Sequence, residues 1–205
     1  MLKYCDLDPN KKAYIFEFDN VLFPERDYLL QVYYLFANFI EFTETVPSSN
    51  ELTNFLKTVY EHHGSEGLFD KAKEAYNLDE KYRDNFMSLH AKARLPLKLV
   101  LYSTMLTLLQ EMVVDRKQIF IITNGKPEIQ LNKIKQMEWN SLEPYLQVYF
   151  AEEFTIKPNT DVFDIVLKRH KLIRKEIAIV GNSSIDEEFA LSCGVDYIPV
   201  NSLLL

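Results

Sequence analysis

Five short apolar runs, rich in β-branched and aromatic residues, constrain this chain most: residues 13–18, 118–122, 147–151, 177–180 and 196–200. The last four are separated by segments with helical spacing, around 127–137, 160–170 and 184–192, and are preceded by a Met105, Leu108, Leu109, Met112 stripe. Continuous apolar strands that alternate with helices bury both faces of a parallel sheet, which makes this an α/β chain. Such sheets carry their chemistry at the carboxyl ends of the strands.

The first run is followed by about seventy residues without a strand pattern, too many for a simple crossover. From Pro24 onward, Leu29, Val32, Tyr33, Phe36, Ala37 and Ile40 fall at helical spacing, and Pro24 suits a first turn. A break at 46–50 precedes a second stripe, Leu52, Phe55, Leu56, Val59 and Tyr60, stopped by Gly64. Two more helices are expected near 68–78 and 80–93. The expected organisation is a discontinuous α/β core, 1–22 with 95–205, and a helical insertion at 23–94. Tyr33, Tyr34, Phe36, Phe39 and Phe42 are expected to pack inside that insertion, with one face available to shape ligand choice or a dimer contact. His62 and His63 read as an exposed helix end, His90 and His170 as solvated or capping residues, and Arg26 and Asp27 as a solvated helix start.

Composition narrows the function classes. A net charge of −7 argues against a nucleic-acid binder, because that affinity comes from Lys and Arg neutralising phosphates. Two cysteines, Cys5 and Cys193, give neither a disulfide framework nor a metal spacing. Residues 1–8 carry acids where a signal peptide needs an apolar stretch, and no apolar run approaches a membrane span. A soluble cytoplasmic protein with no membrane partner is expected.

At the strand ends stand Glu17 and Asp19, then Thr123-Asn124-Gly125, then Lys157-Pro158, then Asn182-Ser183 with Asp186. Singly, each is an ordinary turn, cap or loop. The ordered set resembles the haloacid dehalogenase-like (HAD) hydrolase superfamily: an apolar strand ending Asp-x-Asp, a second ending in Thr or Ser, a Lys, and a fourth followed by Gly-Asp and a later Asp. Here those positions read Glu17-Phe18-Asp19, Thr123, Lys157 and Gly181-Asn182 with Asp186; Phe163 after Lys157-Pro158 and Gly194 after Asp186 fit the phosphatase branch. The resemblance implies a Rossmann-like core with a small α-helical cap, as in phosphoglycolate phosphatase and β-phosphoglucomutase.

It also implies roles. The first carboxylate attacks a phosphoryl group, and the second protonates the leaving alkoxide and later activates water. Thr123 and Lys157 would bind the transferring oxygens, with Asn124 and the backbone of Gly125 completing an anion cradle. Mg2+ would be held at Glu17, Asp19 and Asn182, supported by Asp186. Two positions depart from the pattern. Glu17 adds one methylene, about 1.5 Å, to a nucleophile for which about 1 Å of misplacement can cost on the order of 10²-fold. Asn182 brings an amide oxygen but no charge, so metal affinity should fall. Three functions stay open: a phosphatase of weak or shifted activity on a small phosphorylated metabolite, a silent relative that binds a phosphorylated ligand or a protein, and a metal-independent dehalogenase-like enzyme.

Overall fold

A computed structural model describes residues 2–204. The chain divides into two compact units, one formed by residues 1–24, 99–130 and 137–205 and the other by 25–98 and 131–136. The helical unit thus begins and ends a few residues later than 23–94 and also takes six residues from a distant part of the chain.

The α/β unit is built on a parallel sheet of five strands in the order β5-β3-β1-β6-β7: β1 (Ala13–Phe16), β3 (Gln118–Thr123), β5 (Leu146–Phe150), β6 (Ile177–Gly181) and β7 (Asp196–Pro199). Every residue of β1 and β6 is buried, which explains why these runs carry no polar alternation. The order reverses at β1, whose Phe16 pairs with Ile121 on one side and Val180 on the other. The carboxyl ends of β1, β3 and β6 therefore finish at one level, at the switch point where such sheets bind ligands. Helices α5 (Ser103–Val114), α7 (Asp161–His170), α8 (Ser184–Cys193) and α9 (Asn201–Leu204) belong to this unit, as does the start of α6 (Pro127–Lys135). Phe163 and Val166 of α7 and Phe189 and Ala190 of α8 pack with Ile15, Phe120 and Ile179 in one core cluster. A short parallel pair, β2 (Leu99–Val100) with β4 (Met137–Glu138), and the four-residue α9 escaped the sequence reading; segments this short carry no periodicity.

The helical unit contains α1 (Glu25–Glu44), α2 (Ser49–His63), α3 (Leu68–Tyr76) and α4 (Arg83–Lys92). Ser48 caps α2 by accepting from the Glu51 N–H, and Gly64 ends it at φ 74°. Tyr33 and Phe36 are buried, whereas Tyr34 and Phe42 are exposed, Phe42 to 89%. Residues 33 and 34 lie about 100° apart on a helix, so one aromatic cluster in sequence becomes two faces in space. His90 is not solvated as expected: its ring lies against Tyr28, Tyr33 and Phe86, and burial pushes its pKa down to about 4. His170 likewise packs on Phe120 and hydrogen-bonds the Tyr149 hydroxyl at 2.8 Å. His62 and His63 are exposed in the last turn of α2, and Arg26 pairs with Glu61 at 2.6 Å. Among the described residues no helix is long and apolar enough to cross a membrane.

Candidate active site

Glu17 follows β1 directly, and its N–H donates to the Val180 carbonyl, so the sheet ladder itself fixes the start of its side chain. The carboxylate turns inward. Oε1 accepts from the Phe18 N–H at 2.7 Å and from the Thr123 hydroxyl at 2.5 Å. Oε2 accepts from the Lys157 ammonium. Thr123 ends β3 with no exposed surface, and Lys157 is 3% exposed.

Lys157 also donates to Asp186 Oδ1 at 2.6 Å. Asp186 is the third residue of α8, where its Oδ2 accepts from the Asn182 N–H, the Ser183 N–H and the Ser183 hydroxyl while the Asp186 N–H donates back to Ser183 Oγ. This is a capping box in which the boxed acid also faces a buried cation. A glycine is required just before it. A Cβ on Gly181 would stand 2.3 Å from Asp186 Cβ, so any side chain there displaces the carboxylate from Lys157.

Asn124 lines the cavity over the site and is also tied to the lysine's loop. Its Oδ1 accepts from the Lys157 N–H at 2.9 Å and its Nδ2 donates to the Lys157 carbonyl at 3.3 Å, which holds the lysine's loop against the end of β3. Gly125 follows at φ 101°, a conformation that favours glycine.

Gln130 is a member that motif reading missed. It is 2% exposed on α6, and its Nε2 donates to Thr123 Oγ1 at 2.7 Å and to Asp19 Oδ2 at 2.8 Å. Thr123 Oγ1 accepts from Gln130, and its single proton has Glu17 Oε1 at 2.5 Å and the Asn124 carbonyl at 3.1 Å as acceptors, of which the nearer, charged oxygen is the stronger. Only the structure reveals it: in α6 Gln130 and Lys133 are buried while Leu131 is exposed, a reversal of the usual pattern at i, i+3 spacing.

Burial pushes the Glu17 carboxyl above the usual carboxylate range, and the Asp186 charge adds to it, against the pull of Lys157 and Thr123. Burial acts in the same direction on Asp186, but Lys157, Ser183 and the Asn182 N–H hold it below its usual value. For Lys157 burial works against the charge, and the two carboxylates overcome it, leaving the ammonium above its ordinary pKa. The centre is a buried cation shared by two carboxylates.

A cavity of about 240 Å³ opens over this centre, lined by Glu17, Asp19, Asn20, Asn124, Asn182, Ser183, Ile185 and Asp186. Thr123, Lys157 and Gln130 lie behind that lining. A larger cavity of about 310 Å³ in the same unit, bounded by Leu2, Tyr4, Thr107 and Leu203, holds none of these side chains.

The arrangement does not fit a magnesium ion. Both oxygens of Glu17 and both of Asp186 are engaged by protein donors, one of them the ammonium, and Asn182 offers a neutral amide. Among the described residues no group of three or more His, Cys, Asp or Glu side chains could hold a metal.

The family model described as haloacid dehalogenase-like hydrolase matches residues 14–200. No curated protein matches the sequence. Among solved structures, a protein assigned as a β-phosphoglucomutase from Thermotoga maritima aligns at TM-score 0.63 and 17% identity, covering 94% of this chain and 96% of its own. A protein assigned as a phosphoglycolate phosphatase from Lactobacillus delbrueckii subsp. bulgaricus aligns at 0.56 and 16%, covering 97% and 86%. The protein assigned as HAD-hydrolase YfnB from Bacillus subtilis, bound to magnesium, aligns at 0.58 and 16%, covering 91% and 85%. At these identities the likeness speaks to the fold.

Proposed function

The chain belongs to the haloacid dehalogenase-like hydrolase family, and we propose that it is a phosphatase-type member directed at the phosphoryl head of a small phosphorylated metabolite, with its covalent chemistry weak or lost. The observation that carries this reading is the engagement of Glu17. A carboxylate nucleophile must aim a free lone pair at phosphorus from about 3–3.5 Å. Here Oε1 accepts from both a hydroxyl and a backbone N–H, and the lone pair left on Oε2 belongs to the oxygen that the Lys157 ammonium neutralises, which makes it a poor nucleophile.

The remaining residues keep their places at the site. Asp19, the acid two residues on, accepts from the Gln130 amide at 2.8 Å and lines the cavity, where a group that hands a proton to a leaving alkoxide would stand. Lys157 and Thr123 carry the electrostatic part of phosphoryl binding, and Asn124 positions Lys157. Magnesium belongs to this reading as the cation whose ligand set Asn182 and the inward turn of Glu17 have dismantled. Dehalogenase chemistry needs the same free carboxylate, so the geometry favours it no better. The β-phosphoglucomutase and phosphoglycolate phosphatase assignments of the structural relatives support a small phosphorylated compound as the ligand class.

The test is hydrolysis of a panel of small phosphate esters, with and without magnesium, by the wild type, a Lys157→Ala control and the double variant Glu17→Asp/Asn182→Asp. The expected result is background turnover by the wild type and magnesium-dependent turnover by the double variant. Wild-type turnover above the Lys157→Ala control overturns the loss of chemistry, and a folded but inactive double variant overturns the phosphatase origin.

A further inference from the structure

We propose that the Glu17 carboxylate is the resident occupant of an oxyanion seat formed by the Phe18 N–H, the Thr123 hydroxyl and the Lys157 ammonium, and that this seat takes a free small oxyanion once Glu17 is withdrawn. The inference deepens the reading above and rests on its assignment of Thr123 and Lys157 to phosphoryl oxygens. The seat has three donors of different kinds converging on one anionic group, each within hydrogen-bond reach. Its shape is set by other residues. Gln130 holds the Thr123 oxygen in place by donating to it, Asn124 fixes the Lys157 backbone, and Asp186 fixes the Lys157 ammonium.

The side chain's length explains the occupancy. An aspartate at position 17 ends one methylene earlier, about 1.5 Å short of where the Glu17 oxygens meet Thr123 and Lys157. In Glu17 that extra carbon carries the carboxylate past the place of a nucleophile and into the place of its target. Charge weakens native binding in the same direction. A phosphate entering the native centre would meet the carboxylates of Glu17, Asp19 and Asp186 against the single ammonium of Lys157, in a low-dielectric surrounding where like charges repel strongly. Removing Glu17 deletes one carboxylate and vacates its volume together. The ligand class is a small oxyanion that presents two oxygens on one centre, whether a carboxylate such as formate or acetate, or a phosphoryl group.

The experiment compares wild type, Glu17→Ala and Glu17→Asp by calorimetric titration with orthophosphate, formate and acetate, beside thermal unfolding at increasing concentrations of each. Formate and acetate report the seat as a carboxylate site, and orthophosphate reports it as a phosphoryl site. We expect at least tenfold tighter binding of one of these anions by Glu17→Ala than by wild type. The unfolding midpoint should rise more steeply with anion in the variant than in the native protein. Adding Thr123→Ala to Glu17→Ala should abolish the gain. If Glu17→Ala folds only with an added oxyanion, refolding itself reports the seat; if it folds in no buffer, Glu17→Asp carries the comparison. Equal binding by wild type and variant, or none by folded variants, overturns the proposal. Neither result depends on turnover, so the ester panel can fail while the seat stands, and the reverse.

Discussion

Lys157 in the α/β unit and His90 in the helical unit meet burial by opposite means. In the α/β unit the charge is kept: Lys157 stays an ammonium at 3% exposure because Glu17 and Asp186 flank it. In the helical unit the charge on His90 is given up: the ring sits among Tyr28, Tyr33 and Phe86, and burial moves its pKa down to about 4. The difference follows from the backbone. Strand ends and the first turn of α8 present N–H groups that can fix carboxylates, and fixed carboxylates can hold a cation. Around His90 the helix sides offer no free backbone donors and, among the described residues, no carboxylate contacts the ring, whereas the buried Lys133 of the same unit keeps its charge because Glu25 reaches it at 2.9 Å.

The comparison breaks most directly at Lys157. Lys157→Met removes the cation and leaves two buried carboxylates facing each other, and stability should fall by about 3–5 kcal/mol. Adding Glu17→Gln and Asp186→Asn should recover most of it, because a neutral, well-packed centre has no desolvation to offset. Urea unfolding of the single and triple variants measures both; a single variant as stable as wild type would mean that the centre was never strongly charged.

His90 tests the other side. Its folded pKa is depressed from 6.5 to about 4, so its contribution is fully present above about 6.5 and is lost as pH falls through about 4. At about 1.4 kcal/mol per unit, the loss amounts to at most about 3 kcal/mol. His90→Phe should flatten that part of the stability profile, read as the difference between the two proteins' unfolding free energies from pH 7 to pH 4. Parallel profiles would show that His90 titrates freely in the fold.

Gln130 comes next. Gln130→Leu leaves Asp19 without a buried amide donor and frees the acceptor lone pair of Thr123, a loss of roughly 1–3 kcal/mol. Gln130→Glu should cost more than Gln130→Leu, since it places a fourth acid beside Asp19 and Glu17. The reverse order would assign Gln130 to packing alone.

What was legible in the sequence followed from repetition and from order. The apolar runs at β1, β3 and β6 showed the sheet because central parallel strands buried on both faces leave no polar alternation to confuse with a helix, while the edge strands β5 and β7 are only partly buried. Glu17, Asp19, Thr123, Lys157 and Asp186 were legible as a set because strand ends gather residues that are far apart in the chain. The direction in which Glu17 points was not. One extra methylene says that the carboxylate is displaced, and only the positions of Thr123, Lys157 and the Phe18 N–H say where it goes. Gln130 and His90 were hidden for a common reason: a lone polar residue on a helix reads as solvated until the packing of its neighbours is known.

The helical unit also keeps charges, inside it as the buried Lys133 paired with Glu25 at 2.9 Å, and at its surface as a cluster around Arg83. Glu80 accepts from Arg83 and, at 2.6 Å, from Lys73, and Arg83 also reaches Asp70. The guanidinium, followed by the lysine, holds the Glu80 carboxyl down to about 2. Unlike the centre around Lys157, this cluster stands in water, where salt screens it and side-chain entropy opposes it. Its stabilising share is therefore present above the usual glutamate range and fades as pH falls toward 2, with little consequence for unfolding at neutral pH. Side-chain NMR titration should place Glu80 near 2 in the wild type and return it toward 4.5 in Arg83→Met, while the neutral-pH unfolding midpoint hardly moves. A large drop in that midpoint would mean that the aliphatic stem and guanidinium of Arg83 over the Phe69 ring do more for the helical unit than its ion pairs.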